Sequence, residues 1–235
     1  MKRRAFPKLS AILLLLSLCF VLPSCAADYE TLYEITKGDL TYVLEGIGST
    51  PKRIALVNDG YVIRRIDIDV DDSVQNEDSR YGFYVEDANF DGKNDLIIAT
   101  EKEGDICTYD VYLAANEKTD FSYSKQLSSL KNLRVRAEYQ AVFGFDRTQE
   151  FESDGHYTLC DKATKYTWKN GTLIPDIYAS LTYYSEQNLY CYSYATYDEA
   201  AGAFTPSKDT WLTPAEHENT DFGFLYYYNT EKAAK

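Results

Sequence analysis

Two apolar runs enclose an acidic loop in the segment VEDANFDGKNDLI, residues 85–97. The flanking residues, YGFY before the segment and IAT after it, are rich in aromatic and β-branched side chains, which favour strands. Similar short runs recur from Tyr29 to Tyr228, and no long stretch shows the 3.6-residue periodicity of a helix. The segment therefore predicts a strand, a tight loop and a second strand within an all-β protein.

The rest of the chain extends this pattern. Residues that tolerate positive φ, as hairpin turns require, occur at Asn58-Asp59-Gly60 and Asn170-Gly171. Thr213 before Pro214 predicts the start of a short helix, because the hydroxyl can cap it and proline suits its first position. Strands are predicted at 40–44, 52–57, 61–70, 80–85, 95–100, 108–113, 121–126, 137–145, 157–160, 165–168, 177–184, 189–197 and 204–205.

These strands predict an all-β fold class, with residues 39–235 forming a single domain of short antiparallel strands. A propeller-like arrangement is the first expectation, and a β-sandwich or an irregular barrel is the alternative.

The first residues have the organisation of an export signal. Residues 2–8 are basic, and the apolar run at 11–22 is shorter than the roughly 20 residues that a membrane span needs. LPSC, residues 22–25, resembles the bacterial lipobox, which predicts a signal peptide at 1–24, lipidation of Cys25 and a short N-terminal segment at 25–38. The mature chain is then expected on the outer face of a bacterial membrane, held by its lipid. The alternative is a plain signal peptide cut after a small residue, in which Cys25 or Cys19 is incidental.

Composition excludes several classes of protein. With 24 Lys and Arg against 37 Asp and Glu, the net charge is −13, and the apolar share of 45% excludes a disordered acidic tail. Residues 1–24 hold four basic residues and no acid, so the remainder carries −17 and should repel nucleic acid.

The cysteines and histidines limit the chemistry further. Once Cys25 is assigned to the lipid, three cysteines remain in the mature chain: Cys107, Cys160 and Cys191. At most one disulfide can form among them, and the sequence does not determine which two cysteines would pair. Because His156 and His217 are the only histidines and no Cys-x-x-Cys occurs, a structural zinc site is not expected.

Residues 87–95 have the spacing of a calcium loop. Asp87, Asn89, Asp91 and Asp95 place side-chain oxygens at positions 1, 3, 5 and 9, and Lys93 can add its backbone carbonyl at position 7. Calcium takes about 6–8 oxygen ligands, and Gly92 permits the sharp bend that brings alternate residues to one centre. We therefore predict a Ca²⁺ site formed by these five residues.

The loop is not an EF-hand. Ile98 stands where an EF-hand has its bidentate glutamate, and the flanks resemble strands rather than helices. Asp95 is expected to replace that glutamate, Phe90 to turn into the core, and the Lys93 amine to point to solvent. A solvated acidic turn is the alternative interpretation.

Residues 85–97 resemble the calcium loop of the FG-GAP or VCBS repeats of integrin-like propellers, whose pattern is Asp-x-Asn-x-Asp-Gly-x-x-Asp-Leu. A single loop in a lipoprotein is similar to a family of small propeller-like bacterial envelope lipoproteins, some of which are immunity proteins that inhibit lysozyme-like enzymes. The resemblance extends over about residues 52–175 and implies a calcium-binding protein with a protein partner. Phe90 and Ile98-Ala99-Thr100 depart from the integrin pattern, so the ligand-binding role of integrin repeats is not carried over.

Two further groups of residues could form binding surfaces. Tyr190, Tyr192 and Tyr194 alternate and so share one face of a strand, which suits protein or glycan recognition as well as cross-strand packing. Asp67, Asp69 and Asp71 alternate with apolar residues, which predicts a solvated acidic face; a second cation site or a surface for a basic partner is the alternative.

No motif of a serine hydrolase, Walker loop or zinc protease occurs, and we do not expect an enzyme. The sequence favours a non-catalytic, calcium-stabilised envelope lipoprotein that binds another protein, such as a basic lysozyme-like enzyme. The alternative is a glycan- or peptidoglycan-binding module that uses the tyrosine-rich face.

Overall fold

The computed structural model describes residues 28–74, 82–118, 120–220 and 222. The predicted signal peptide at 1–24 and the lipidation site Cys25 lie outside these residues. None of the helices among these residues has the length and hydrophobicity of a membrane span.

The first sheet is a four-stranded antiparallel meander in the order β1-β2-β3-β4. Asp59 and Gly60 between its last two strands have φ of 49° and 79°, which confirms a hairpin turn at the predicted residues. The strands are β1 (Glu30–Lys37), β2 (Leu40–Ile47), β3 (Thr50–Asn58) and β4 (Tyr61–Asp67).

The second sheet is another four-stranded meander, in the order β5-β6-β7-β8. Glu86 pairs with Asp95, so residues 87–94 close the hairpin between the first two strands of this sheet. The strands are β5 (Phe83–Glu86), β6 (Asp95–Glu103), β7 (Ile106–Asn116) and β8 (Asp120–Tyr123).

The third sheet has seven strands, in the order β14-β13-β12-β11-β10-β9 with β15 on the free part of β13. All its pairs are antiparallel. The strands are β9 (Arg134–Arg136), β10 (Ala141–Phe151), β11 (Tyr157–Lys169), β12 (Thr172–Tyr184), β13 (Leu189–Asp198), β14 (Ala203–Pro206) and β15 (Thr210–Leu212).

β11 is longer than the sequence suggests. Separate strands were expected at 157–160 and 165–168, but one strand of 13 residues spans both. The polar residues between the two predicted strands conceal this continuity in the sequence. In the structure, Asp161 forms an ion pair with Arg147 on the neighbouring strand, with 2.6 Å between Arg147 Nε and Asp161 Oδ1. A partly exposed ion pair between neighbouring strands therefore replaces the apolar alternation that marks a strand in sequence.

Two hydrophobic clusters lie in the fold. The larger one joins the first two sheets to part of the third, and includes Tyr42, Phe83, Ile98 and Val142. The smaller cluster lies on the third sheet and contains Phe145, Ala163, Ala179, Leu212 and Phe222. β11 contributes Tyr166 and Trp168 to the first cluster and Ala163 to the second, which explains why this strand is long.

Two 3₁₀ turns, Asp72–Val74 and Ala137–Tyr139, and two short α-helices complete the described structure. Ser124 caps α1 (Lys125–Ser128), and α2 (Pro214–Glu218) begins after the predicted cap Thr213, whose hydroxyl accepts the Glu216 amide.

The predicted all-β fold class of antiparallel strands is confirmed, and none of the sheets in the described residues closes into a barrel. The first two sheets have four strands each and the third has seven, an arrangement consistent with a single β-sandwich-like domain.

Candidate metal centre

The loop at 87–94 is held in a tight curl by its own backbone amides. Asp87 accepts hydrogen bonds from the amides of Asp91 at 3.0 Å and Gly92 at 2.8 Å. Asn89 Oδ1 accepts from Asp91 N at 3.1 Å, and Asp91 Oδ1 accepts from Lys93 N at 3.0 Å. The side-chain oxygens at positions 1, 3 and 5 therefore turn into the loop rather than away from it.

Two residues give the loop its bend. Gly92 has φ of 86° and Phe90 has φ of 60°, both in the left-handed region. Phe90 is partly buried and packs against the larger hydrophobic cluster, as expected. That contact helps to hold Phe90 in a backbone conformation that residues other than glycine rarely adopt.

Asp95 is a fully buried carboxylate at the base of the loop. One oxygen accepts from Ala88 N and the other from Ala114 N, both at 2.8 Å. The pKa of Asp95 is raised to about 6: burial is the main cause, the two amides lower it, and the charges of Asp91 and Asp87 add to the rise. The carboxylate thus ties the loop to β7 while remaining close to two other negative charges.

The Lys93 amine does not simply point to solvent as predicted. Its Nζ lies 2.8 Å from Asp91 Oδ2, and the side chain is 40% exposed. Burial raises the pKa of Asp91, but hydrogen bonds from Lys93 outweigh that effect and lower it. The difference has an electrostatic cause, because the carboxylates of Asp91, Asp95 and Asp87 attract the Lys93 amine.

The donors in the loop are of the type that a hard cation prefers. Asp87, Asn89, Asp91 and Asp95 all present oxygens, and each carboxylate oxygen can accept more than one partner. Across the described residues, however, no group of three or more His, Cys, Asp or Glu side chains is arranged to hold a metal ion. The loop thus keeps the oxygen donors on which the calcium prediction rests, but its carboxylates do not meet at one centre in this conformation.

Two residues outside the loop hold it, and neither was predicted from the sequence. Trp168 Nε1, on the third sheet, donates to Ala88 O at 2.8 Å. Glu117 Oε1, between β7 and β8, accepts from Asn94 Nδ2 at 2.7 Å and from the Asn94 amide. Both contacts link residues far apart in the chain, and no spacing rule would find them.

Tyr42 brings the first sheet to the same region. Its side chain is fully buried, and its hydroxyl has no hydrogen-bond partner among the described residues. Burial, followed by the charges of Glu117 and Asp95, raises the pKa of Tyr42. The hydroxyl therefore lies within electrostatic reach of both carboxylates.

The tyrosines predicted as a binding face pack around the smaller hydrophobic cluster. Tyr190 stacks on His217, with ring centroids 4.0 Å apart, and also contacts Tyr183 across the strands. Tyr192 contacts Phe222, and Tyr194 is partly buried against the same cluster. On the opposite face, Trp211 is 54% exposed and its ring lies 5.4 Å from that of Tyr184.

The predicted acidic face has the expected alternation. Asp67, Asp69 and Asp71 are exposed, whereas Ile68 and Val70 are buried in the larger cluster. Hydrogen bonds from Ser73 lower the pKa of Asp71. The three aspartates thus form an exposed acidic stripe beside the first sheet.

Cys107, Cys160 and Cys191 are all free thiols. Cys160 and Cys191 both pair with Thr182, from opposite sides, so β12 separates them. Two strand spacings amount to about 10 Å, beyond the ~7 Å that a disulfide allows between Cα atoms.

The comparisons with known proteins do not assign a family. No protein-family model matches the chain, and no curated protein matches it. A solved chain described as "Structure of a Xanthomonas Type IV Secretion System related protein" is 14% identical, with a TM-score of 0.43. The alignment covers 77% of this chain and 87% of that chain. A similarity this weak does not support a shared function.

Proposed function

We propose that this protein is a non-catalytic, calcium-stabilised lipoprotein of the bacterial cell envelope that binds another protein. The observation that carries the calcium proposal is the position of the loop at residues 87–95. Its hydrogen bonds reach β7 through Asp95 and the third sheet through Trp168, and Tyr42 of the first sheet lies within electrostatic reach of Asp95. A cation bound there would stiffen the region where the three sheets meet.

The proposed ligands are the side chains of Asp87, Asn89, Asp91 and Asp95 and the carbonyl of Lys93. Bound calcium would supply positive charge that offsets the repulsion among the three aspartates. Asp87 and Asp91 already raise the pKa of Asp95, which is the electrostatic signature of that repulsion.

Calorimetry of calcium into the chelator-treated protein tests the site. We expect one site with a Kd of roughly 10⁻⁴–10⁻³ M, as in extracellular calcium modules. Asp91→Ala should abolish binding, because it removes a ligand from the middle of the loop. Asp69→Ala is the matched control, since it removes an exposed aspartate outside the loop and should leave the Kd unchanged. Absence of heat at millimolar calcium would make the loop a solvated acidic turn.

Trp168 offers a second measurement of the same site. Its indole contacts the loop backbone at Ala88, so terbium bound in place of calcium should be excited through this tryptophan. We expect sensitised emission that calcium displaces and that Asp91→Ala removes. Emission that persists in Asp91→Ala would place the lanthanide elsewhere.

Charge favours a basic protein as the partner. The chain has a net charge of −13, and the stripe of Asp67, Asp69 and Asp71 is exposed. Complementary charge mainly accelerates association and is screened by salt. We propose a basic lysozyme-like enzyme as the partner. Replacing the three aspartates with asparagine should then slow association at low salt, and inhibition in a lytic assay should weaken with it.

Membrane attachment through Cys25 is part of the same proposal. Cys25→Ser should move the protein from the membrane fraction to the soluble fraction, because the variant lacks the thiol that carries the lipid anchor. Unchanged fractionation of this variant would contradict lipid anchoring.

A glycan- or peptidoglycan-binding role is the second candidate. The observation in its favour is the exposed Trp211 beside Tyr184, because flat aromatic rings suit sugar faces. Sedimentation with insoluble cell-wall material, lost in Trp211→Ala, would support it. The face of Tyr190, Tyr192 and Tyr194 can be tested in the same assay with Tyr194→Ala.

A further inference from the structure

Glu117 contacts the proposed calcium loop from a different hairpin. It follows β7, 23 residues after Asn94, and its Oε1 accepts both the backbone amide and the side-chain amide of Asn94. Two donors from one residue converge on one carboxylate oxygen. Such charge-assisted bonds are stronger than bonds between neutral groups, so Asn94 is held firmly in this orientation.

The contact also determines the direction of a proposed ligand. The Asn94 amide and the Lys93 carbonyl belong to one planar peptide unit, and no described peptide bond is cis. In a trans unit the N–H and the C=O point in opposite directions. Because the Asn94 N–H points to Glu117, the Lys93 carbonyl points away from Glu117.

We propose that Glu117 is a positioning residue of the calcium loop, which fixes the Lys93–Asn94 peptide so that the Lys93 carbonyl is presented to the cation. The inference rests on the proposed calcium site and extends it to a residue outside the loop. Groups that orient metal ligands typically change metal affinity by 10–100-fold when they are removed. Glu117 should have an effect of this size without touching the ion.

Partial burial protects the hydrogen bonds between Glu117 and Asn94 from competition by water. Both of these bonds are partly buried. Water therefore competes poorly for Asn94 at this point, and loss of the carboxylate leaves the Asn94 amide without its acceptor.

Calcium titration of the full chain in detergent tests the proposal with three variants. Glu117→Ala removes the acceptor and should weaken calcium binding by 10–100-fold. Glu117→Gln keeps an oxygen that can accept from Asn94, so its Kd should stay within about threefold of wild type. Glu103→Ala removes an exposed carboxylate at the opposite end of β6 and should leave the Kd unchanged.

The melting temperature, measured in chelator and in saturating calcium, separates positioning from general destabilisation. Positioning predicts that Glu117→Ala loses more of the calcium-induced increase than of the calcium-free stability. An equal loss in both conditions would make Glu117 a purely structural residue.

Two further outcomes would overturn the inference. Equal weakening in Glu117→Gln and Glu117→Ala would mean that the charge of Glu117, or direct ligation, matters instead of the hydrogen bond. Unchanged affinity in Glu117→Ala, with binding lost in Asp91→Ala, would refute the role of Glu117 and leave the calcium site intact. If the wild type does not bind calcium, both proposals fail.

Discussion

Asp95 is a residue whose proton affinity is changed by folding. Its pKa rises from 3.8 to about 6, mainly through burial. Between these two values the folded protein binds the proton more tightly than the unfolded chain does, so protonation stabilises the fold. In chelator, the contribution of Asp95 to the free energy of unfolding should therefore be greatest below pH 4 and decline as the pH rises to 6, by up to about 3 kcal/mol.

Urea unfolding in chelator between pH 4 and 7 measures this effect. Asp95→Asn lacks the titrating group, so its stability should change less across this range than that of wild type, even if the variant is less stable at every pH. Parallel curves for the two proteins would contradict the raised pKa. In saturating calcium the trend should oppose the calcium-free one, because proton and cation compete for the carboxylate.

Replacing Tyr42 should increase the free energy of unfolding, whereas most substitutions in a protein core decrease it. Its hydroxyl is buried without a hydrogen-bond partner among the described residues. Tyr42→Phe removes that hydroxyl and keeps the ring, so we expect the free energy of unfolding to rise by about 1 kcal/mol. Tyr109→Phe is the matched control, since the Tyr109 hydroxyl accepts from Arg134 at 3.3 Å and its loss should destabilise the protein. A loss of stability in Tyr42→Phe would indicate that the hydroxyl has a bound partner.

At the scale of elements, Trp168 connects β11 to the loop of the second sheet. Trp168→Phe keeps an aromatic ring in the larger cluster and removes the donor to Ala88 O. We expect a loss of about 1 kcal/mol in thermal unfolding and faster hydrogen exchange at residues 88–92. Trp211→Phe serves as the control, because Trp211 is exposed at the edge of the third sheet. Identical exchange in wild type and Trp168→Phe would show that the bond does not restrain the loop.

The sequence predicts well those elements that are determined by residues close together in the chain. The turn at Asp59 and Gly60, the cap at Thr213 and the strand–loop–strand arrangement around residues 87–95 depend on neighbours in the chain. β11 is different, because Asp161 becomes compatible with a strand interior only when Arg147 lies opposite it. Glu117 and Trp168 are likewise recognisable only after the sheets have assembled, so the surroundings of the loop could not be predicted.

For the molecule as a whole, the proposed calcium site makes stability dependent on calcium. At a free concentration 100 times Kd, binding to the folded state adds about 2.7 kcal/mol. Thermal unfolding at increasing calcium should show a continuous rise in melting temperature that Asp91→Ala lacks. Sodium chloride at matched ionic strength controls for screening of the net charge of −13. An equal rise with either salt would mean that screening alone is responsible.

The order of strands has a consequence for how the chain reaches this structure. Apart from the pairing of β13 with β15, the paired strands in the described residues follow one another in the chain. Ordinary all-β proteins fold slowly because distant segments must meet, and a succession of hairpins avoids most of that loop-closure entropy. We therefore expect rapid folding for an all-β protein, with each hairpin able to form as soon as its second strand emerges from the ribosome or a translocation channel.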